Sequence, residues 1–286
     1  MELLLKGAPA AQKLQEETAR IAASLKEKGV TPKLAMLRIG NRSDSASYER
    51  GLRRGCEKCG ILAETVELPE ESTQAEAEAV LHRLGADPEV HGILLFEPVP
   101  KELDAAALRS AIVPEKDVDC AGEAALGALF SGKKDCFAPA TPQAVIELLH
   151  YYDIPLKGKK AVVLGRSLVV GKPLSLLLLA EDATVTVCHS RTEDVRSLTQ
   201  RADLIVAAIG KARFVDGSYL GEGQTVVDVG IHVDEEGRLC GDVDFDSAAE
   251  KAAALTPVPG GVGSITSAVL LQHVARAAER LTEKRT

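Results

Sequence analysis

Four short apolar runs in the second half of the chain constrain its fold more than any other feature: Lys160–Leu164 (KAVVL), Ala183–Cys188 (ATVTVC), Asp203–Ile209 (DLIVAAI) and Thr225–Val229 (TVVDV). Each is short, branched and nearly continuous in apolar character, and stretches of helical length separate them. A strand with one wet face alternates apolar and polar residues, whereas a run that is apolar throughout is buried on both faces. Such strands alternating with helices imply parallel pairing and right-handed crossovers. The second half is therefore expected to be a doubly wound parallel sheet with helices on both sides.

The first half repeats the alternation. Leu14, Thr18, Ile21 and Leu25 have helical spacing over 9–29 and Gly29 stops the helix. A strand at 33–39 ends at Gly40. Tyr48, Leu52, Cys56 and Cys59 then fall on one helical face that ends at Gly60. A strand near 61–67, a helix near 72–85 capped by Ser72, and a strand at 91–96 follow. After the polar turn 113–119 and Pro139-Ala140-Thr141-Pro142, a helix over 142–153 leads into the second region, and a last helix covers about 265–283. The expected division is 1–140, completed by the C-terminal helix 265–286, and 141–264. A length of 286 residues agrees with two domains.

Composition narrows the function classes. A formal net charge of −8 argues against non-specific binding to nucleic acid or an anionic membrane, since both need a basic surface. No apolar run approaches the roughly 18 residues of a membrane span, and the start MELLLKGAPAAQ lacks a secretory pattern, so a cytoplasmic protein is expected. The six cysteines are read as reduced. Cys56 and Cys59 have a metal-like or redox-like spacing, but no second pair accompanies them and they fall late in a helix, which favours core packing. The six histidines are dispersed, and no metal site is expected.

Three stretches carry candidate chemistry. Leu164-Gly165-Arg166-Ser167-Leu168-Val169-Val170-Gly171-Lys172-Pro173 follows a strand and opens a helix, where glycines let the backbone approach a pyrophosphate. Its spacing is not GxGxxG, so a plain tight turn is the alternative. An NAD-type fold usually places an acid at the next strand end, about 20 residues on. Here the chain reads Cys188-His189-Ser190-Arg191-Thr192, and a hydroxyl with a guanidinium favours a 2′-phosphate, hence NADP, with Arg166 as a second clamp. The alternative is that Arg191 sits in a solvated loop, and NAD stays open. Pro257 to Gly263 holds three glycines and two prolines, either a flat backbone for a ligand or a structural turn. Asp117 and Asp119 stand in a loop, with an exposed acidic turn as the alternative.

Together these pieces resemble the bifunctional methylenetetrahydrofolate dehydrogenase/cyclohydrolase family over essentially the whole chain. The signatures are GRSLVVGKPL (165–174), TVTVCHSRT (184–192), DVDC (117–120), GDVDF (241–245) and TPVPGGVGS (256–264). The resemblance implies a folate-binding α/β domain and a Rossmann-like domain facing each other across a cleft, and a homodimer. It implies NADP-linked oxidation of 5,10-methylenetetrahydrofolate, then hydrolysis of the methenyl cation to 10-formyltetrahydrofolate. Tyr48 matches the tyrosine against the folate and Asp119 the aspartate on the pterin, both counted as catalytic. Gly260, Gly261 and Val262 match the loop beside the folate. Gly165, Arg166, Ser167, Val170, Gly171, Ser190, Arg191 and Ile231 match cofactor-side positions.

The departures are equally specific. The family pattern is Ser-x-x-Tyr-x-x-x-Lys, and Leu52 stands in the lysine position; the glutamine that supports the lysine is replaced by Phe96. PCTP has become PATP with Ala140, and GGVGP ends in Ser264. Oxidation needs chiefly two reactants held at reacting distance, whereas hydrolysis needs a group to move protons. The expectation is a dehydrogenase with weak or absent cyclohydrolase activity. The alternatives are both activities through a substitute such as Glu97, a related NADP enzyme acting on another substrate, and a non-catalytic binding protein.

Overall fold

The computed structural model describes residues 3–41, 43–133 and 135–284. The side chain of Ser45 and residues 285–286 of the expected last helix lie outside the described residues. In chain order the elements are β1 (Leu3–Leu4), α1 (Gly7–Glu27), β2 (Lys33–Ile39), α2 (Ser43–Cys59), β3 (Leu62–Leu68), α3 (Gln74–Ala86), β4 (Gly92–Leu95), α4 (Ala105–Ser110) and α5 (Glu123–Phe130). There follow α6 (Ala140–Tyr151), β5 (Lys160–Leu164), α7 (Gly171–Ala180), β6 (Thr184–Cys188), α8 (Val195–Thr199), β7 (Leu204–Ala207), β8 (Thr225–Asp228), β9 (His232–Val233), β10 (Leu239–Cys240), α9 (Phe245–Ala249), β11 (Ala254–Leu255) and α10 (Thr266–Glu283). The chain is α/β in two compact units, Gln12–Ala140 with Ser267–Thr286, and Met1–Ala11 with Thr141–Thr266.

The first eleven residues depart from the expected 1–140 division. They join the second unit because β1 pairs in parallel with β11, Leu3 opposite Ala254, with the Leu5 N–H donating to the Leu255 carbonyl at 2.9 Å. A two-residue strand has no period to read, so only its partner could reveal it.

In the unit built on Gln12–Ala140, three parallel strands run in the order β3-β2-β4. The central strand β2 is buried on both faces. Leu34 and Met36 point with Leu94 and Phe96 into one apolar cluster, which α2 and α10 complete through Leu52, Cys56, Leu271 and Val274. Ala35, Leu37 and Ile39 point with Ile93 and Leu95 into a second cluster closed by α3. Period-two alternation along β2 thus feeds two cores. Helix α3 begins in a capping box of Thr73 and Glu76, so the cap is Thr73 and not the expected Ser72. Only from Thr73 does a Glu at the third helical position reach back to the cap N–H. Cys56 and Cys59 are buried free thiols in the first cluster, and burial pushes the Cys56 thiol up to about 12.

In the other unit a six-stranded sheet runs β1-β11-β8-β7-β5-β6, all parallel. Strands β6 and β7 flank β5 on opposite sides, so the order reverses beside β5. In such sheets ligands bind outside the carboxyl ends of the strands at that point. A short antiparallel hairpin, β9–β10, follows β8. Among the described residues no helix is long and apolar enough to cross a membrane, and no cluster of His, Cys, Asp and Glu could hold a metal ion.

Candidate active site

At the carboxyl edge of the six-stranded sheet, the turn after β5 is built for close backbone approach. Gly165 has φ 122°, and a Cβ there would collide with the Ala208 carbonyl oxygen after β7; a Cβ on Gly171 would collide with the carbonyl of Gly165. Ser167 Oγ accepts from the N–H groups of Val170 (3.1 Å) and Gly171 (3.4 Å) and so closes the entry to α7. The chain crosses from β5 to α7 without a side chain in the way, leaving Arg166, Ser167, Leu168 and Val169 exposed.

The turn after β6 stands beside it, since Leu164 pairs with Cys188. Thr192 Oγ1 accepts from the His189 N–H at 2.9 Å and His189 Nδ1 from the Arg191 N–H at 3.2 Å, so the turn is satisfied internally while Ser190 and Arg191 face solvent. Among the described residues, neither Arg166 nor Arg191 has a hydrogen bond or ion pair for its guanidinium. Two unspent guanidinium groups and a free hydroxyl at adjacent strand ends suit a phosphate monoester. A glycine cradle with such groups fits a phosphorylated dinucleotide.

The glycine-rich loop is structural as well as exposed. Gly260 has φ 101°, its carbonyl accepts from the Gly7 N–H at 2.8 Å, and a Cβ on Gly7 would collide with the Gly261 carbonyl. Gly260 is exposed, but Gly261 is buried and Val262 is 2% exposed, so the valine side chain belongs to the core. Ile231 is 62% exposed and lies against Gly263, where a Cβ would come within 3.2 Å of its Cδ1.

The other unit carries Tyr48 and Asp119. Helix α2 presents Tyr48, Leu52, Cys56 and Cys59 on one face, as their spacing predicts. Tyr48 meets the edge of Phe96 at 6.0 Å between centroids and 88° between planes, yet stays 41% exposed. Leu52 is fully buried. Burial, and after it the Asp119 carboxylate, raise the Tyr48 phenol to about 12, with a hydrogen bond from Ser267 pulling the other way. The phenol is a donor at neutral pH and not a base.

Asp119 accepts from the Ala140 N–H at 3.1 Å, and burial chiefly raises its carboxyl to about 6, with the charges of Asp117 and Glu97 adding to the rise. Asp117 is no exposed acidic turn. It is 2% exposed and accepts from the N–H groups of Ala121 (3.0 Å) and Gly122 (2.9 Å), which shapes the loop that presents Asp119. On its other side Val118 is anchored by buried His273, whose Nδ1 donates to the Val118 carbonyl at 2.8 Å. Burial holds that imidazole down at about 4, hence neutral.

The charged residues next to Leu52 and Phe96 in sequence are bonded to other partners. Arg53 bonds Glu49 one turn back on α2 (2.9 Å), and the Ala63 carbonyl (3.1 Å) and Thr65 (2.6 Å) of β3. Glu97 is exposed and paired with Arg109 at 2.9 Å. Sequence reasoning missed Ser267, His273 and the Ala140 N–H, each brought to the site by chain distant in sequence. It also assigned no role to Asp228, His232 and Asp242, although GDVDF was a visible signature.

Comparison with known proteins agrees along the whole chain. Residues 5–119 match the catalytic domain of the tetrahydrofolate dehydrogenase/cyclohydrolase family, and residues 139–282 match its NAD(P)-binding domain. The bifunctional protein FolD of Alkaliphilus oremlandii is 50% identical over 277 residues, 97% of each chain. The crystal structure of the bifunctional enzyme FolD, a methylenetetrahydrofolate dehydrogenase/cyclohydrolase from Campylobacter jejuni, superposes with a TM-score of 0.95 at 38% identity, covering 98% of this chain and 99% of that one. The Trypanosoma brucei dehydrogenase-cyclohydrolase, solved with NADP and an inhibitor, gives a TM-score of 0.90 at 37% identity, covering 100% and 99%. With both domains matched in order and half of the residues shared with a full-length relative, the chain belongs to the tetrahydrofolate dehydrogenase/cyclohydrolase family.

Proposed function

We propose that the protein oxidises 5,10-methylenetetrahydrofolate to the 5,10-methenyl form with NADP, and that its hydrolysis of the methenyl cation is weak or absent. One observation carries the second half: Leu52 and Phe96, which replace the family's lysine and glutamine, are packed together in an apolar core beside Tyr48. The folate takes the Tyr48 ring as a platform and the Asp119 carboxylate as acceptor for pterin N–H groups. Gly260 and Gly261 offer backbone, and buried Val262 acts through its main chain. Arg166, Ser190 and Arg191 hold the 2′-phosphate, while Gly165, Ser167, Val170 and Gly171 form the turn under the pyrophosphate and Ile231 adds an apolar contact. NADP, when bound, supplies the hydride acceptor.

Loss of hydride leaves a cation that adjacent nitrogen lone pairs stabilise, so this step needs positioning and no protein base. Hydrolysis requires water to lose a proton while a ring nitrogen gains one. Tyr48 stays protonated, Arg53 is a poor base bound to β3, and Glu97 is tied to Arg109. A second reading, with both activities kept, is favoured by the bifunctional name of the relative that is 50% identical. Glu97 would then be the substitute base.

One experiment separates the two. Reduced cofactor is followed with methylenetetrahydrofolate and either nicotinamide nucleotide, and then the decay of methenyltetrahydrofolate absorbance with and without protein. Enzyme-independent decay supports the first reading, and rapid enzyme-dependent decay refutes it. On this reading the protein is a cytoplasmic homodimer, supported by its acidic composition and by β6, an uncharged strand at the sheet's end with a free edge for a second copy. A monomeric mass by light scattering would refute the dimer.

A further inference from the structure

Two buried carboxylates outside the expected cofactor residues join the ends of β7 and β8 to the β9–β10 hairpin. Asp242 is fully buried and both of its oxygens are spent. Oδ2 accepts from the N–H groups of Ile209 (2.5 Å) and Gly210 (3.0 Å), and Oδ1 from the Lys211 N–H (2.9 Å) and His232 Nε2 (2.7 Å). Three consecutive N–H groups on one carboxylate form an anion nest filled by the protein's own acid. Asp228, at the end of β8, accepts from the N–H groups of Gly230 (2.9 Å), Asp242 (3.0 Å) and Val243 (2.9 Å). Side chains at Gly230 or Gly241 would collide with these carboxylates. GDVDF thereby gains a physical meaning, since Asp242 closes the nest and Asp244 caps α9 by accepting from the Ser247 N–H at 3.2 Å.

The location gives the pair its significance. Residues 208–211 leave β7 where the strand order reverses, with the Ala208 carbonyl against Gly165. His232 follows exposed Ile231, which leaves the neighbouring strand β8 at the same edge. The strands themselves pair up to Ala207 and Asp228, and beyond that point the contact between His232 and Asp242 adds a side-chain brace between the two loops that continue into the crevice.

The geometry points to His232 and Asp242 as a positioning pair for the nicotinamide nucleotide, acting through the backbone of 209–211 and through Ile231. The inference rests on the proposal that this edge binds NADP. The test is a fluorescence titration of the purified protein with NADPH, alongside the melting temperature and the KM for methylenetetrahydrofolate. His232→Ala leaves the three N–H bonds to Asp242 intact, so the fold holds. Its NADPH dissociation constant rises about tenfold, as expected for loss of one charge-assisted hydrogen bond. The folate KM and the melting temperature of the unliganded protein stay near wild type, and His232→Gln, with an amide donor at similar reach, recovers most of the affinity. Equal NADPH affinity in wild type and His232→Ala, or a lower melting temperature with unchanged affinity, makes the contact merely structural and overturns the inference. If the wild type binds no nicotinamide nucleotide, the proposed nucleotide site itself fails, and the inference with it.

Discussion

The carboxyl edge of the six-stranded sheet and the α2 face of the three-stranded sheet treat functional chemistry in opposite ways. At the first, Arg166, Ser190 and Arg191 stand on turns and leave their polar groups unspent. At the second, Leu52 and Phe96 have been absorbed into the core. Turn positions after strands carry function with little consequence for packing. A position on the buried face of a helix serves both, and a lysine there must be kept satisfied. Removing one partner of such a pair strands the other, at about 1–3 kcal/mol, whereas replacing both by apolar groups is nearly neutral. On the proposed reading, that asymmetry would account for the family's lysine and glutamine being replaced together.

The largest expected effect tests the apolar side of this contrast. On the proposed reading, hydrolysis of methenyltetrahydrofolate should lack the factor of about 10²- to 10⁴-fold that a positioned proton-transfer group supplies. Leu52→Lys alone would place an ammonium in a cluster without an acceptor and lower stability by about 3 kcal/mol or more, read by denaturant unfolding. The double change Leu52→Lys with Phe96→Gln restores an acceptor and raises hydrolysis by about a hundredfold or more. An unchanged rate in a folded double variant would mean that the missing pair does not explain the deficit.

The next effect tests the polar side. Arg191→Ala raises the KM for NADP by about 10- to 100-fold, the value of one charge-assisted contact to phosphate, and leaves the KM for NAD nearly unchanged. Equal losses with both nucleotides would make Arg191 a structural residue of its turn and erase the asymmetry between the two edges.

The same contrast governs what the sequence made legible. Strands buried on both faces announce themselves as continuous apolar runs, so β2, β4, β5, β7 and β8 were readable by composition and period; β6 was readable as a strand, but its expected burial on both faces fails because it is the last strand of the sheet and only Cys188 is buried. β1 and β11 were not, because two-residue strands exist only through their pairing. Turn residues such as Arg191 could be read from their place after a strand. Leu52 could not, since along α2 it merely continues the stripe of Tyr48, Cys56 and Cys59 and acquires meaning only beside the family pattern. Asp242 stood in a visible signature, but its role could not be read there, because its partners at 209–211 and 232 come together only when β7, β8 and the hairpin are folded.

A smaller effect sharpens the role of Asp119. Its carboxyl keeps a proton up to about 6 in the folded chain, against about 3.9 when unfolded. Between those values the folded state binds more protons, so Asp119 lowers the stability of the unliganded protein as pH rises through that window. Buried Asp228, also raised to about 6, contributes in the same sense, so the comparison is between wild type and Asp119→Asn. The variant melts higher than wild type above about pH 6 and the difference closes below about pH 4. Its folate affinity falls about tenfold. Wild-type folate binding strengthens as pH rises through the same window, and a flat binding profile would remove Asp119 from the pterin site.

The smallest effect is expected at Glu97, the residue that could undo the comparison altogether. Its pair with Arg109 is solvent-exposed and worth about 1 kcal/mol or less, so Glu97→Gln melts within a few degrees of wild type. Oxidation kinetics change little. The measurable consequence is electrostatic: the Glu97 charge helps to raise the Asp119 carboxyl, so its removal shifts the pH midpoint of folate binding downward. If Glu97→Gln instead abolishes an enzyme-dependent hydrolysis present in wild type and spares oxidation, the proton-transfer group is Glu97, next to Phe96 in sequence, rather than a residue at the position of Leu52. The α2 face would then have kept its second reaction on an exposed side chain, as the nucleotide edge keeps its own chemistry.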